Sequence, residues 1–275
     1  MSIRGENNLK LYINEDFEKK TGGLARHFFT TRYGGVSGPQ GDLMNVSFGK
    51  DSREKVLENV KILAAARNFD YQRLTGIRQV HGDRVVKIDG SNAGARFSKP
   101  EIIEEADAMI TDCPGVTLMT THGDCVPVYL WDSENRAIGV IHSGWRGTVS
   151  RISAKTVEAM MLNYGTQPEK LAVLIGPGIC PKCFEVHLPV AEKFYREFGT
   201  ESSVVRKHDA KEGKYNVNLK AAIFETLAAA GVKNYNIIDG GMCTACVENS
   251  GLFFSHRREK GENPGLMGAF FEICE

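Results

Sequence analysis

The chain of 275 residues is long enough for one large domain or two modest ones. Its composition, 42% hydrophobic and 25% charged, is that of an ordinary soluble globular protein. Lys+Arg and Asp+Glu both count 34, so there is no basic field to draw nucleic acid or an anionic membrane, and neither is expected as a partner.

The first twenty residues, MSIRGENNLKLYINEDFEKK, are polar, lack the apolar h-region of a secretory signal and are expected to be peripheral. The most glycine-rich loop follows, FTTRYGGVSGPQGDLMNVSFG. Arg53–Arg67 has the periodicity of an amphipathic helix, with Val56, Val60, Leu63 and Ala64 on one face. Ile77–Asp89 reads as two short strands around His81, Gly82 and Asp83. Strands are expected at Ala108–Thr111, Val116–Thr121, Val126–Trp131 and Ala137–His142, then a helix from about Thr148 to Tyr164. LAVLIGPG is a strand entering a turn. Helices are expected over Leu188–Phe198 and Leu219–Ala230, the second ended by Gly231. Strands at Tyr235–Asp239, Leu252–Phe254 and Met267–Ile273 close the chain. Strands come in runs separated by single helices. That pattern argues for one α+β (mixed α/β) domain spanning residues 1–275, layered with mixed sheets inside and helices outside. No apolar run approaches the roughly 18 residues of a membrane span. Seven cysteines, an odd number, favour a reducing compartment, so a cytoplasmic location is expected.

Three groups that bind metals or carry protons stand at or beside strand ends: His81 in QVHGD, Cys125 in GDCVP and His142 in IHSGW. Ends of adjacent strands lie about 5 Å apart, so distance in sequence forbids neither a metal site nor a catalytic dyad. Two imidazoles and one thiolate suit a first-row metal, and three protein ligands leave a fourth position open, as in catalytic zinc sites. The plainer alternative is a core cysteine and two surface or capping histidines. In HSGWRGT, Gly144 and Gly147 permit a tight strand-to-helix turn, and Arg146 falls near the first helical turn, where an anion such as phosphate is a natural guest. An ordinary surface ion pair is the competing account of Arg146.

TRYGGVS, QVHGD, ADAMIT, GDCVPVYLWD, HSGWRGT, IGPGICPKCFEV and LFFSHRREKG occur in the order seen in the laccase-domain family, whose members are also described as polyphenol oxidases, peptidoglycan editing factors and purine nucleoside phosphorylases. The chain resembles that family from about Thr30 to Ile273. The resemblance implies that His81, Cys125 and His142 are zinc ligands. It also implies phosphorolysis of adenosine, inosine and methylthioadenosine, with adenosine deamination as a side activity. An acidified water on zinc suits attack on C6 of adenine. Phosphorolysis needs an anion site beside the ribose, for which Arg32 and Arg146 are candidates; Ser255 and Arg257 are expected in the same pocket. Asp124 neighbours a ligand, but a strand would turn it to the opposite face, which favours a structural role.

The same residues carry other readings. Cys125 as nucleophile with His142 as its base would make a thiol hydrolase or amidase acting on peptidoglycan precursors. A regulatory scaffold that binds a nucleoside or a cell-wall fragment needs no turnover at all. Copper could occupy the same three ligands. A multicopper oxidase is disfavoured, because the seven histidines, at 27, 81, 122, 142, 187, 208 and 256, include no His-x-His pair. The pairs CPKC (Cys180, Cys183) and CTAC (Cys243, Cys246) invite a second zinc, although core thiols are the favoured reading across so long an intervening segment. Departures from the family pattern are His122 two positions before the Asp-Cys pair, Lys182 in place of a cysteine, and Leu266 where an arginine is frequent. The chain is expected to be a monomer or a homodimer.

Overall fold

A computed structural model describes residues 2–6, 8–102, 104–208, 210–249, 251–262 and 264–274. The chain begins β1 (Ser2–Glu6), β2 (Leu9–Ile13), α1 (Glu15–Thr21), β3 (Ala25–Thr30), β4 (Tyr33–Ser37), α2 (Arg53–Arg67), β5 (Leu74–Gly76) and β6 (Val85–Lys87). Its middle holds β7 (Ala108–Thr111), β8 (Thr117–His122), β9 (Val126–Asp132), β10 (Ala137–Ser143), α3 (Trp145–Val149), α4 (Ile152–Tyr164) and β11 (Ala172–Ile175). It ends β12 (Glu185–His187), α5 (Leu188–Phe198), β13 (Val205–Lys207), β14 (Lys214–Val217), α6 (Leu219–Ala229), β15 (Ile237–Asp239) and β16 (Met267–Ile273).

Two six-stranded mixed sheets form the interior, ordered β1-β2-β3-β16-β8-β5 and β15-β11-β9-β10-β7-β6; β12-β14-β13 makes a small third sheet. Most neighbours are antiparallel, while β5–β8, β6–β7 and β11–β15 run parallel. Strand alternation sets the layers. Along β9, Val126, Val128 and Leu130 face a core shared with α4 and α6 (Val157, Met160, Ile223, Leu227), whereas Tyr129 and Trp131 meet Phe29, Leu118 and Phe271 of the opposing sheet. On the far side of the first sheet, Phe28, Met119 and Phe270 receive Val60 and Leu63 of α2. The order is therefore helix, sheet, sheet, helix, as the composition of runs and helices implied. Strands buried on both faces read as unbroken apolar runs, which is why β9, β10 and β16 are legible in sequence.

Four expectations need correction. The expectation of a peripheral N-terminal segment fails for part of it: β1 is an exposed edge strand, but β2 pairs with β3, and Tyr12, Ile13 and Phe17 are fully buried. Asn14 caps α1 by accepting from Phe17 N at 2.9 Å, a clear local signal in hindsight. The helix expected from Thr148 starts at Trp145 and is interrupted, because Arg151 adopts φ 58 between α3 and α4. Leu252–Phe254 is coil, its buried phenylalanines serving the core without pairing. Ile77–Asp89 holds only β6; residues 77–84 are a loop, which carries His81.

Candidate active site

The β9–β10 register sets Val126 opposite Ser143 and Pro127 opposite His142. Cys125, immediately before β9, therefore sits against the end of β10. His81 enters from the loop between β5 and β6. The donor atoms of His81, Cys125 and His142 all lie within 4.8 Å of one another. Two glycines make this approach feasible. A Cβ on Gly144 would fall 3.1 Å from Cys125 Sγ and 3.2 Å from His81 Cδ2, and one on Gly147 only 2.7 Å from the Gly82 carbonyl oxygen.

One carboxylate organises the set. Asp107, fully buried, accepts from the backbone N–H groups of Val80 (3.2 Å), His81 (3.0 Å) and Gly82 (2.7 Å). These bonds hold a loop in which His81 itself has φ 58, a left-handed conformation uncommon outside glycine. Asp107 Oδ1 also lies 2.8 Å from His142 Nδ1, fixing that nitrogen as the donor and leaving Nε2 as the free ring position. A carboxylate behind a ligating imidazole sets its tautomer and raises its basicity. The sequence contains Asp107 within ADAMIT, but singled it out by nothing except its position at the head of an apolar strand.

Burial opposes ionisation of all three charged members, and their mutual contacts overcome it. Burial would raise the Asp107 carboxyl, but the His142 bond and the Gly82 and Val80 N–H groups hold it below the usual range. Burial would also raise the Cys125 thiol, yet the charge and hydrogen bond of His142, with a further bond from His81, lower it to about 6. His142, which burial alone would depress, is raised to about 9 by Cys125 and Asp107. Without a metal, the pair is a thiolate beside an imidazolium at neutral pH. With two imidazoles and a thiolate converging, and the second ring nitrogen of His142 already committed, the donor chemistry fits a divalent first-row cation.

His122 is a brace and not a further ligand. Its Nδ1 lies 3.0 Å from the Cys125 carbonyl oxygen and its Nε2 2.8 Å from Thr120 Oγ1, so both ring nitrogens are engaged. Burial pushes its pKa well down, keeping it neutral. Asp124 is likewise structural in its contacts: at φ 96, it accepts from Thr244 Oγ1 at 2.7 Å and from the Arg257 backbone N–H at 2.6 Å. Gln79 closes the frame, donating to the Thr121 carbonyl and accepting from the Thr121 N–H, each at 2.8 Å.

The triplet opens onto a cavity of about 670 Å³. Trp145, Ile179, Phe184, Leu219 and Leu266 give it apolar walls, and Lys50, Arg78, Arg96, Arg146 and Arg257 give it cationic ones. Arg146 stacks its guanidinium over the Trp145 ring at 4.5 Å and has no carboxylate partner among the described residues. The five-residue α3 that carries it is too short for a substantial helix dipole, so any anion affinity there rests on side-chain charge. Arg257 lines the cavity while bonding the carbonyls of Cys183 (3.2 Å) and Glu185 (2.7 Å). Two sequence candidates lie elsewhere. Arg32 does not line the cavity; it pairs with Glu259 at 3.3 Å and covers the Phe254 ring at 5.0 Å. Ser255 is fully buried, with its hydroxyl accepting from Arg258 N at 3.1 Å to hold a turn. Local motif membership could not distinguish turn-forming residues from lining ones.

The chain is similar to several known proteins. A Deinococcus radiodurans protein named purine nucleoside phosphorylase is 37% identical over 237 residues, covering 86% of this chain and 85% of the relative. A protein named adenosine deaminase RL5, from an unknown prokaryotic organism, is 34% identical over 88% of this chain and 92% of its own length. The crystal structure of YlmD from Geobacillus stearothermophilus superposes with a TM-score of 0.88 at 31% identity, covering 99% of both chains. Residues 26–273 match the family model described as multi-copper polyphenol oxidoreductase laccase, and the chain belongs to that family.

Proposed function

We propose that the chain is a zinc-dependent purine nucleoside phosphorylase acting on adenosine, inosine and S-methyl-5′-thioadenosine, with adenosine deamination as a side activity. One observation carries the reading: His81, Cys125 and His142 converge at a cavity that also presents Arg146, which has no carboxylate partner among the described residues. The relatives named for phosphorolysis and for deamination support the same chemistry. His81, Cys125 and His142 would hold the zinc, which would supply Lewis acidity toward the purine or toward water. Asp107 keeps His142 in the ligating tautomer and the His81 loop in place. Arg146 and Lys50 bind phosphate beside the ribose, so that a phosphate oxygen can bond to C1′ as the C1′–N9 pair leaves with the purine. Trp145, Phe184 and Leu219 pack against the nucleoside and exclude water. Leu266 gives the cavity an apolar edge, which favours a less charged substrate group there.

The family description invokes several coppers, but the donor inventory argues against a cluster. Among the described residues, the groupings of three or more potential ligands are this triplet and one all-cysteine set. A single copper could replace zinc in the triplet. The test is chromatography of zinc-loaded protein with a nucleoside panel. Free purine and the corresponding pentose 1-phosphate should form only with phosphate, and adenosine should give inosine without it. Absence of both products from every nucleoside overturns the proposal.

A second reading draws on the thiolate–imidazolium pair of Cys125 and His142: a metal-free hydrolase or amidase with Cys125 as nucleophile. Zinc decides between them. Protection of Cys125 from alkylation by zinc, together with gain of turnover, supports the phosphorylase; turnover by metal-free protein, abolished by alkylation, supports the hydrolase.

A further inference from the structure

The two C-x-x-C pairs, far apart in sequence, meet in space. The sulfurs of Cys180, Cys183, Cys243 and Cys246 all lie within 4.8 Å of one another, and Cys246 Sγ is 3.7 Å from both Cys180 Sγ and Cys183 Sγ. A tetrahedral ion with zinc–sulfur bonds of about 2.3 Å would space its ligands about 3.8 Å apart. A disulfide needs about 2.05 Å, and all four cysteines are free. Core thiols, the reading favoured from sequence, account poorly for this arrangement: Cys243 is buried, but the other three are half-buried. All four pack against the core under α6, but that packing does not require their sulfurs to converge on one partly exposed point.

The surrounding backbone is shaped as metal knuckles are. The N–H groups of Cys183 and Phe184 both donate to the Cys180 carbonyl, at 3.1 and 2.9 Å, closing a turn around CPKC. The Cys180 N–H donates to Cys243 Sγ at 3.2 Å, the kind of bond that stabilises a thiolate. Asn249 holds the second pair from behind, through Nδ2 to the Cys243 carbonyl (2.9 Å) and its N–H to the Cys246 carbonyl (3.1 Å).

We propose that Cys180, Cys183, Cys243 and Cys246 bind one zinc ion in a closed structural site, separate from the His81, Cys125 and His142 set. Four thiolates fill a tetrahedron and leave no position for substrate. The ion joins the segment after β11 to the segment after β15. Between Ile179 and Phe184, both in the cavity wall, it fixes the stretch that Arg257 grips at Cys183.

The decisive protein is full-length Cys125→Ser/His81→Ala, in which the open triplet is disabled and the four cysteines are intact. Grown with zinc and purified without chelator, it should retain about one zinc per chain by mass spectrometry. Its cobalt-substituted form should show intense thiolate-to-cobalt charge-transfer absorption. Adding Cys180→Ser and Cys246→Ser should reduce both signals about tenfold or more. Because that last variant can fail to fold, thiol titration of the folded Cys125→Ser/His81→Ala protein serves as the independent measure: zinc should slow reaction of the four cysteines with a thiol reagent. A natively folded protein holding no zinc, with all four thiols reacting freely, overturns the proposal. So does iron in place of zinc, with the visible absorption of an iron–sulfur cluster.

Discussion

The two donor clusters are built by opposite strategies. The His81–Cys125–His142 triplet mixes ligand types, rests on a buried carboxylate and opens onto a cavity cornered by cations. The four-cysteine set is uniform, partly exposed and braced by backbone amides and Asn249. Open three-ligand sites do chemistry and closed four-ligand sites hold structure. The difference lies less in the ligands than in what stands behind them: a buried anion that tunes basicity in the first case, local turns in the second.

The comparison is sharpest where one cluster is disabled and the other is read. Cys125→Ala should abolish nucleoside turnover, by about a thousandfold or more, and remove metal from the triplet alone. Circular dichroism and the thermal transition should be nearly unchanged, and unaltered ribose 1-phosphate production would break the assignment.

Proton release should separate the clusters next. A cation at the triplet requires neutral His142 and ionised Cys125, whose pKa values are raised to about 9 and lowered to about 6. Binding between those values displaces the His142 proton, so affinity should rise about tenfold per pH unit until near pH 9, then flatten with respect to this group. Below pH 6 the thiol must also lose a proton and the dependence should steepen. Competition with a chromogenic chelator measures this, and a flat profile from pH 6 to 9 would count against the His142–Cys125 pairing.

Smaller effects test the supports. Asp107→Asn removes the anion behind His142 and should weaken metal binding at the triplet by about 10- to 100-fold while leaving the four-cysteine set loaded. Equal loss from both clusters would mean general unfolding. Arg146→Ala should raise the phosphate KM by about tenfold and the nucleoside KM less. Equal shifts in steady-state kinetics would remove Arg146 from the anion site.

Legibility in the sequence followed physical range. Arg53–Arg67, Leu188–Phe198 and Met267–Ile273 were readable to the residue, because helix periodicity and doubly buried strands are local patterns. The N-terminal unit was not, since the short apolar run LKLYI is set in polar flanks and its burial depends on distant partners: pairing with β3 and a Tyr12 bond to the Gly240 carbonyl at 3.0 Å. The triplet was visible because residues of metal-binding type stand at or beside the ends of apolar runs. Asp107 was not, because its meaning comes from four partners supplied by two other segments. Arg32 and Ser255 belong to the matching motifs, but their side chains are engaged away from the cavity, one with Glu259 and one with Arg258 N.

Arg257 shows what such multiplicity means for interpretation. Its main chain is clasped by Asp124 and its guanidinium clasps Cys183 and Glu185, so this one residue rivets three separate stretches of polypeptide at the rim of the cavity. Truncating it would loosen a wall as well as delete a charge. Weakened substrate affinity in that variant would therefore combine an altered chamber shape with a lost charge, and attributing all of it to anion recognition would misplace part of the cause.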